Sequence, residues 1–399
     1  MCDVLVIVGP QVVADAGLLG ELARREFAML GVRGRVVHAA DAAHVSALAR
    51  EAAVAVVVPA PGEQTPGSGV VVPVDLDLAE GATHIHGRGI AGLAWGIRHA
   101  VHRARHPSVR RVAYGASAEQ WGELYLPEVR GEVPVVALVH GGYWRSVWAA
   151  DLMEALCADL VGRGFAVWNL EYRRPDLHGW AATRHDVAAG LAALENLGPT
   201  TAPAPAAASA AVPGSASGAT AGPEPGVAAG AVVPPQPVLD LDRVAVIGHS
   251  AGAQLALRAV ADGARVALAV SLAGVLDLVT ADRRWLSHGA VAAALGESAR
   301  DIDAQADGDE VPDGGEVPDG ELRASSPLLR LPLGVPQLVV QGGGDDVNLV
   351  DISRRYASAA REAGDEVTYL ELPGDHQDVI TPGTPIWQAT ATAITTALA

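Results

Sequence analysis

Gly248-His249-Ser250-Ala251-Gly252 is the segment of this 399-residue chain whose residue types point most directly to chemistry. It follows the apolar run Val244–Ile247 and precedes a helix-period stretch beginning near Ala251. In that setting G-x-S-x-G forms a sharp strand-to-helix turn that lifts a serine hydroxyl above the edge of a sheet. Outside it the pattern is too common to carry weight, and Ser250 reads as a plain helix cap. A serine hydroxyl is a weak nucleophile until a histidine takes its proton, and the imidazole needs a carboxylate to fix its tautomer and stabilise its charged form. In an elbow of this kind the partners follow in the order serine, acid, histidine. Of thirteen histidines only His288 and His376 lie beyond Ser250, and only His376, in Pro373-Gly374-Asp375-His376, follows a further predicted strand. The acid should follow the strand before that one. Gln341-Gly342-Gly343-Gly344-Asp345-Asp346 does so, which puts Asp345 first, Asp346 second and Asp375 third as the carboxylate.

Acyl transfer also needs donors aimed at the developing oxyanion. His140-Gly141-Gly142-Tyr143-Trp144 closes the run Val135–Val139, and its glycines let backbone N–H groups face inward. The expected donors are the N–H groups of Tyr143 and Ala251, with Gly142 assisting. His140 precedes the serine, so it reads as a residue that shapes this loop rather than as the base. Trp144, Trp148, Trp180, Trp285 and Trp387 fall in segments around the carboxyl edge, with Trp144 and Trp148 the candidates for binding an acyl or aryl group, while Trp168 reads as core. His99, His102 and His106 share a helix face, but interleaved with Arg98, Arg103 and Arg105 they read as a solvated basic face before a metal site. His84 and His86 read as surface residues. No metal and no organic cofactor is expected.

The elements that must position these groups come in two α/β series. Over 1–106 the pattern predicts strands at Val4–Val8, Val36–His38, Val54–Val58, Val70–Val74 and Thr83–His86, with helices at Leu18–Leu30, Ala43–Ala52 and Ile90–Arg103. Over 111–399 it predicts strands at Trp121–Leu126, Val135–His140, Phe165–Tyr172, Val244–Gly248, Val266–Ala273, Gln337–Gln341 and Val367–Leu372, alternating with helices at 147–163, 180–197, 251–262, 351–363 and 385–398. Such alternation implies mostly parallel sheets with both faces covered. Two inserts interrupt the second series. Residues 199–237 hold nine prolines and one charge, Glu224, too little to bury a core, and read as a disordered insert at the amino edge of the sheet. Residues 301–321 hold nine acids and no base, and read as a solvated loop.

Composition removes other chemistries. The 28 basic residues are all arginine, and with 46 acids the formal charge is −18. Absence of lysine excludes a lysine Schiff base, a G-x-x-x-x-G-K phosphate loop and a Ser-Lys pair. Two cysteines, Cys2 and Cys157, exclude a disulfide framework and a multi-thiolate metal site. The acidic balance weighs against nucleic acid and anionic membrane surfaces as partners. The opening residues lack the flank and cleavage site of a signal peptide, and no apolar run reaches the ~20 residues of a membrane span. A cytoplasmic protein acting on a small molecule is expected, and a homo-oligomer is compatible with the sequence.

His140-Gly141-Gly142-Tyr143-Trp144-Arg145, Glu171-Tyr172-Arg173-Arg174, the Ser250 elbow, the Asp345 turn and Asp375-His376 together resemble the α/β-hydrolase superfamily, closest to its acetyl-esterase and kynurenine formamidase branch. Ala253-Gln254 stand where relatives often have Gly-His. The resemblance covers 111–399 apart from the inserts and implies a serine hydrolase cleaving small carboxylic esters, or an arylformamidase. A non-catalytic binding or assembly protein is the alternative of another class. Val6-Ile7-Val8-Gly9-Pro10, Val57-Val58-Pro59, Val72-Pro73-Val74-Asp75-Leu76 and Gly87-Arg88-Gly89-Ile90-Ala91-Gly92-Leu93 resemble type II 3-dehydroquinate dehydratase, which implies a small flavodoxin-like domain. Residues 11–30 hold no tyrosine, and Gly-Pro-Gln replaces that family's Gly-Pro-Asn, so 1–106 reads as a degenerate relative without dehydratase activity.

Overall fold

The computed structural model describes residues 3–59, 69–197, 237–299 and 320–399. Runs of β-branched residues build the first sheet from β1 (Asp3–Val8), β2 (Arg33–His38), β3 (Val54–Val58) and β4 (Val70–Pro73). All pairings are parallel and the order is β2-β1-β3-β4, the first four places of the flavodoxin-like order. Val4, Val6 and Val8 enter one apolar cluster and Leu5 and Ile7 the other, as strand alternation requires. Three helices cover the sheet: α1 (Ala16–Leu30), α2 (Ala42–Glu51) and α3 (Ala91–Arg105). Asp15 caps the first by accepting from the Leu18 N–H, and Gly31 ends it at φ 61°.

The expected strand at Thr83–His86 is not formed. It is reduced to a single parallel bridge between Val74 and Ile85. The local reason is that left-handed turns at Gly81 and Gly87 flank it and the backbone just after it bonds back on the preceding loop, Gly87 N–H to Asp77 O and Gly89 N–H to Leu76 O.

The second sheet has eight strands: β5 (Arg110–Ala113), β6 (Trp121–Tyr125), β7 (Glu132–Val139), β8 (Ala166–Leu170), β9 (Val238–His249), β10 (Leu268–Leu272), β11 (Gln337–Gly342) and β12 (Val367–Leu372). Their order is β12-β11-β10-β9-β7-β8-β6-β5, parallel except where β6 and β5 join at the edge. Val135, Ala137 and Val139 face one core and Val136 and Leu138 the other. The helices are α4 (Glu154–Gly162), α5 (Pro175–His178), α6 (Trp180–Ala192), α7 (Ala251–Ala261), α8 (Leu278–Arg283), α9 (Ala290–Leu295), α10 (Glu321–Ser325), α11 (Val347–Glu362) and α12 (Pro385–Ala397). Register decides where the site lies. Val139 pairs with Gly248, His249 with Leu272, and Gly342 with Leu372, so the carboxyl ends of these strands finish beside one another.

Edge strand β5 and the short helices α8 to α10 were not expected from the pattern, since four to six residues are too few to display a period. The insert at 199–237 falls outside the described residues except Pro237, and that at 301–321 except Gly320 and Glu321. Glu321 is not solvated loop: its carboxylate accepts from Arg258 Nη1 at 2.7 Å and Trp180 Nε1 at 2.9 Å. Among the described residues no helix is long and apolar enough to cross a membrane.

The histidine face of α3 also departs from expectation. It is packed against the second sheet and α4 rather than solvated, with His99 Nδ1 2.7 Å from Glu154 Oε1 of α4 and His102 Nε2 3.0 Å from the Tyr125 hydroxyl of β6. Arg103 Nη1 donates to Glu123 at 2.7 Å in the same contact. His86 is buried too, and His84 pairs with Asp75 at 2.8 Å, so neither is a simple surface residue.

Candidate active site

The elbow is built by close approach. Ser250 sits at φ 55°, ψ −121°, a conformation that a side-chain-bearing residue adopts only when its surroundings enforce it. A Cβ on Gly248 would lie 2.2 Å from Gly252 O, and one on Gly252 would lie 2.2 Å from Val139 O and 2.3 Å from His140 O. These are backbone atoms and cannot yield, so the flanking glycines let α7 press against the end of β7. Gly252→Ala is expected to cost about 1–3 kcal/mol from overpacking and to reduce turnover at the same time. Thermal unfolding and ester assays on one preparation check both.

The loop after β7 faces the elbow. A Cβ on Gly141 would meet His249 O at 2.6 Å, and Tyr143 and Trp144 both lie at positive φ, 57° and 55°. Trp144 is held from below: its Nε1 donates to Gln254 Oε1 at 3.0 Å, and Gln254 Nε2 donates to Ser325 O at 2.8 Å. Gln254 thus anchors the loop, a role that its position four residues after Ser250 does not signal. His140 is wholly buried, stacked on Tyr172 with ring centroids 4.4 Å apart, and the Tyr172 hydroxyl donates to His140 O at 2.7 Å. Burial, with the Arg174 charge behind it, pushes the imidazole pKa down to about 3. It is a neutral structural residue, as its place before the serine suggests.

Asp345 and His376 meet where β11 and β12 end. His376 Nδ1 lies 2.8 Å from Asp345 Oδ2, which also accepts from Gln341 Nε2 at 2.9 Å, while Asp345 Oδ1 accepts from the Asp346 N–H at 2.7 Å. Burial alone raises the Asp345 pKa, but these partners, His376 foremost, outweigh it and hold the carboxyl below its ordinary value. Gln341 is itself fixed by the Ser353 hydroxyl at 2.8 Å. His249 braces the other side: its Nε2 lies 3.1 Å from His376 O, and burial followed by the nearby His376 pushes its own pKa down to about 3. Neutral His249 therefore donates to the loop that carries His376. Asp346 instead caps α11, accepting from the Asn348 N–H at 2.8 Å, and Asp375 accepts from Gln377 and Asp378 N–H groups within its own turn.

Ser250, Ala251, Tyr143, Trp144, Asp345 and His376 line one cleft of about 260 Å³, whose remaining wall includes Val275, Leu286, Ala290, Val291 and Leu349. Gly142 and Trp148 are not among its lining residues. Trp148 packs behind Gly142, whose ideal Cβ would fall 2.2 Å from Trp148 Cβ, so this tryptophan supports the loop from the side away from the cleft. Trp180 and Trp387 are buried in the two cores. Trp285 is half-exposed, next to the lining residue Leu286.

A family model described as alpha/beta hydrolase fold matches residues 136–380, more than half of the chain. No curated protein matches. Among solved structures the chain is similar to a bacterial heroin esterase, at 20% identity and TM-score 0.51 over 73% of this chain and 83% of that one. It is also similar to a truncated carbohydrate esterase from gut microbiota, at 16% identity and TM-score 0.53 over 72% and 95%. At such identity these likenesses speak for the fold alone. The resemblance of 1–106 to dehydroquinate dehydratase draws no support from these comparisons. By the match that spans β7 to the His376 loop, the chain belongs to the alpha/beta-hydrolase family.

Proposed function

We propose that the chain is a serine hydrolase that cleaves carboxylic esters of small acyl or aryl groups through an acyl-enzyme. The observation that carries this reading is the His376–Asp345 pair at 2.8 Å in the cleft that Ser250 also lines. Ser250 Oγ attacks the ester carbonyl while His376 takes its proton on Nε2, because Nδ1 is engaged by Asp345. The oxyanion forms between the N–H groups of Ala251 and Tyr143. Collapse expels the alcohol, which leaves with the proton from His376. Water then attacks the acyl-enzyme with His376 again as base, releasing the acid and Ser250. Asp345 stays ionised throughout because its partners hold its pKa low.

The cleft favours a neutral acyl group. Its wall is apolar at Val275, Leu286, Ala290, Val291 and Leu349, and both ionisable carboxyls that line it, Asp345 and Asp346, repel an anion. A volume of about 260 Å³ suits a short acyl chain or a single ring. The same nucleophile would cleave an N-formyl amide, so the test compares kcat/KM for p-nitrophenyl acetate and N-formylkynurenine. Faster ester cleavage is expected. Faster formamide cleavage makes the protein an arylformamidase, and turnover of neither favours a binding or assembly role. No dehydratase activity is proposed for 1–106.

A further inference from the structure

The amino-terminal domain reaches the proposed oxyanion loop through Arg88, with Trp95 beside it. Arg88 lies between Gly87 and Gly89, both at positive φ (65° and 57°). Its Nε donates to Val147 O at 2.7 Å, and its Nη1 and Nη2 donate to the two oxygens of Asp151 at 2.6 and 2.8 Å. The Arg88 side chain is 1% exposed and that of Asp151 7%, so this fork of donors is shielded from water. The guanidinium carbon also stands 4.5 Å over the Trp148 ring, and Trp95 of the same domain meets that ring edge-on at 5.9 Å. Trp148 is therefore held by two amino-terminal side chains.

What Trp148 does in turn is bear on Gly142, with no room between them for a methyl group. The backbone links the same two positions by successive turns, Arg145 N–H to Gly142 O at 2.9 Å and Trp148 N–H to Arg145 O at 3.1 Å. The peptide that follows Gly142 carries the Tyr143 N–H. A shift at Trp148 is thus passed to that donor, while Gly141 is backed by the Ser250 elbow on the other side. We propose that Arg88 is a positioning residue for the oxyanion donors, and that the amino-terminal domain serves the hydrolase as an in-chain brace for this loop.

The proposal rests on the ester-hydrolase reading, so its test carries one readout that does not depend on turnover. Arg88→Met keeps the apolar stem and removes the fork. Expected is a fall in kcat of about 10–100-fold, the scale of a misplacement near 1 Å, with KM changed less than about threefold because the donors act on the transition state. Amide hydrogen exchange over 142–148 should quicken at least about tenfold, while α7 remains protected. Arg103→Ala is the control: it removes another interdomain ion pair, to Glu123, without touching the loop, and should leave kcat within about twofold. If Arg88→Met does not fold, Arg88→Lys keeps the charge without the fork and should show the same split at smaller amplitude. Unchanged kcat and unchanged 142–148 exchange in a folded Arg88 variant overturn the proposal, as does an equal loss in Arg103→Ala. A wild type inactive on both esters and N-formylkynurenine retires the hydrolase reading, and the exchange measurement then decides the brace by itself.

Discussion

Ser250→Ala is expected to lower kcat on a short aryl ester by about 10⁴–10⁶-fold with the fold intact. The substitution removes one oxygen from a residue that is 7% exposed and leaves the elbow glycines, the Ser250 backbone and the neighbouring strands in place. Unfolding temperature should stay within a few degrees of the wild type, so lost activity cannot be assigned to lost structure. What remains is turnover by oriented water and the oxyanion donors, which in hydrolases of this chemistry still exceeds the uncatalysed rate by about 10³–10⁴. Initial rates with p-nitrophenyl acetate, beside thermal unfolding, check both halves. Activity surviving at more than a few per cent would exclude Ser250 as the nucleophile.

Asp345→Asn should rank next. An asparagine keeps the volume but cannot hold a charged imidazole, and it favours the wrong tautomer; about 10³–10⁴-fold in kcat is the expected loss. The same change at Asp346 should do little to kcat. Asp346 caps α11 through the Asn348 N–H at 2.8 Å, and asparagine is as good a cap as aspartate. The contrast separates two adjacent carboxylates that spacing alone left ordered but undecided. Asp345 has the bond to His376 at 2.8 Å and the support of Gln341 behind it, whereas the Asp346 carboxylate, also at the cleft, accepts from the Asn348 N–H at the start of α11. Equal losses at both positions would mean that the carboxylate acts through general charge.

The residues proposed for chemistry were legible because each follows a strand-like run, buried in β9 and β11 and partly exposed in the edge strand β12, and parallel register brings the ends of those runs together. Val244–Ile247, Gln337–Gln341 and Val367–Leu372 all lie in strands of the second sheet. The groups that hold those residues were not legible. Gln254 meets Trp144 110 positions away and Arg88 meets Asp151 63 positions away; neither pairing leaves a local pattern. Trp148 reads as a substrate residue because its segment falls around the carboxyl edge of the sheet. Two successive turns carry it behind the glycine loop, where it meets the other domain. The α3 histidines read as solvated for a related reason: basic residues at helix spacing say nothing about Glu123 and Tyr125 of the second sheet and Glu154 of α4, which face them. Thr83–His86 has strand-like residues, yet neighbouring left-handed glycines turn its backbone into a loop.

The central claim is that Ser250 is an activated nucleophile, and the most direct measurement is a fluorophosphonate reaction followed by intact-mass and peptide mapping on the native full-length chain. A single adduct on the peptide carrying Ser250 is predicted, blocked by prior incubation with a slowly hydrolysed ester and absent from Ser250→Ala. A folded wild-type protein that takes up no label, or takes it up on another residue, would contradict the account.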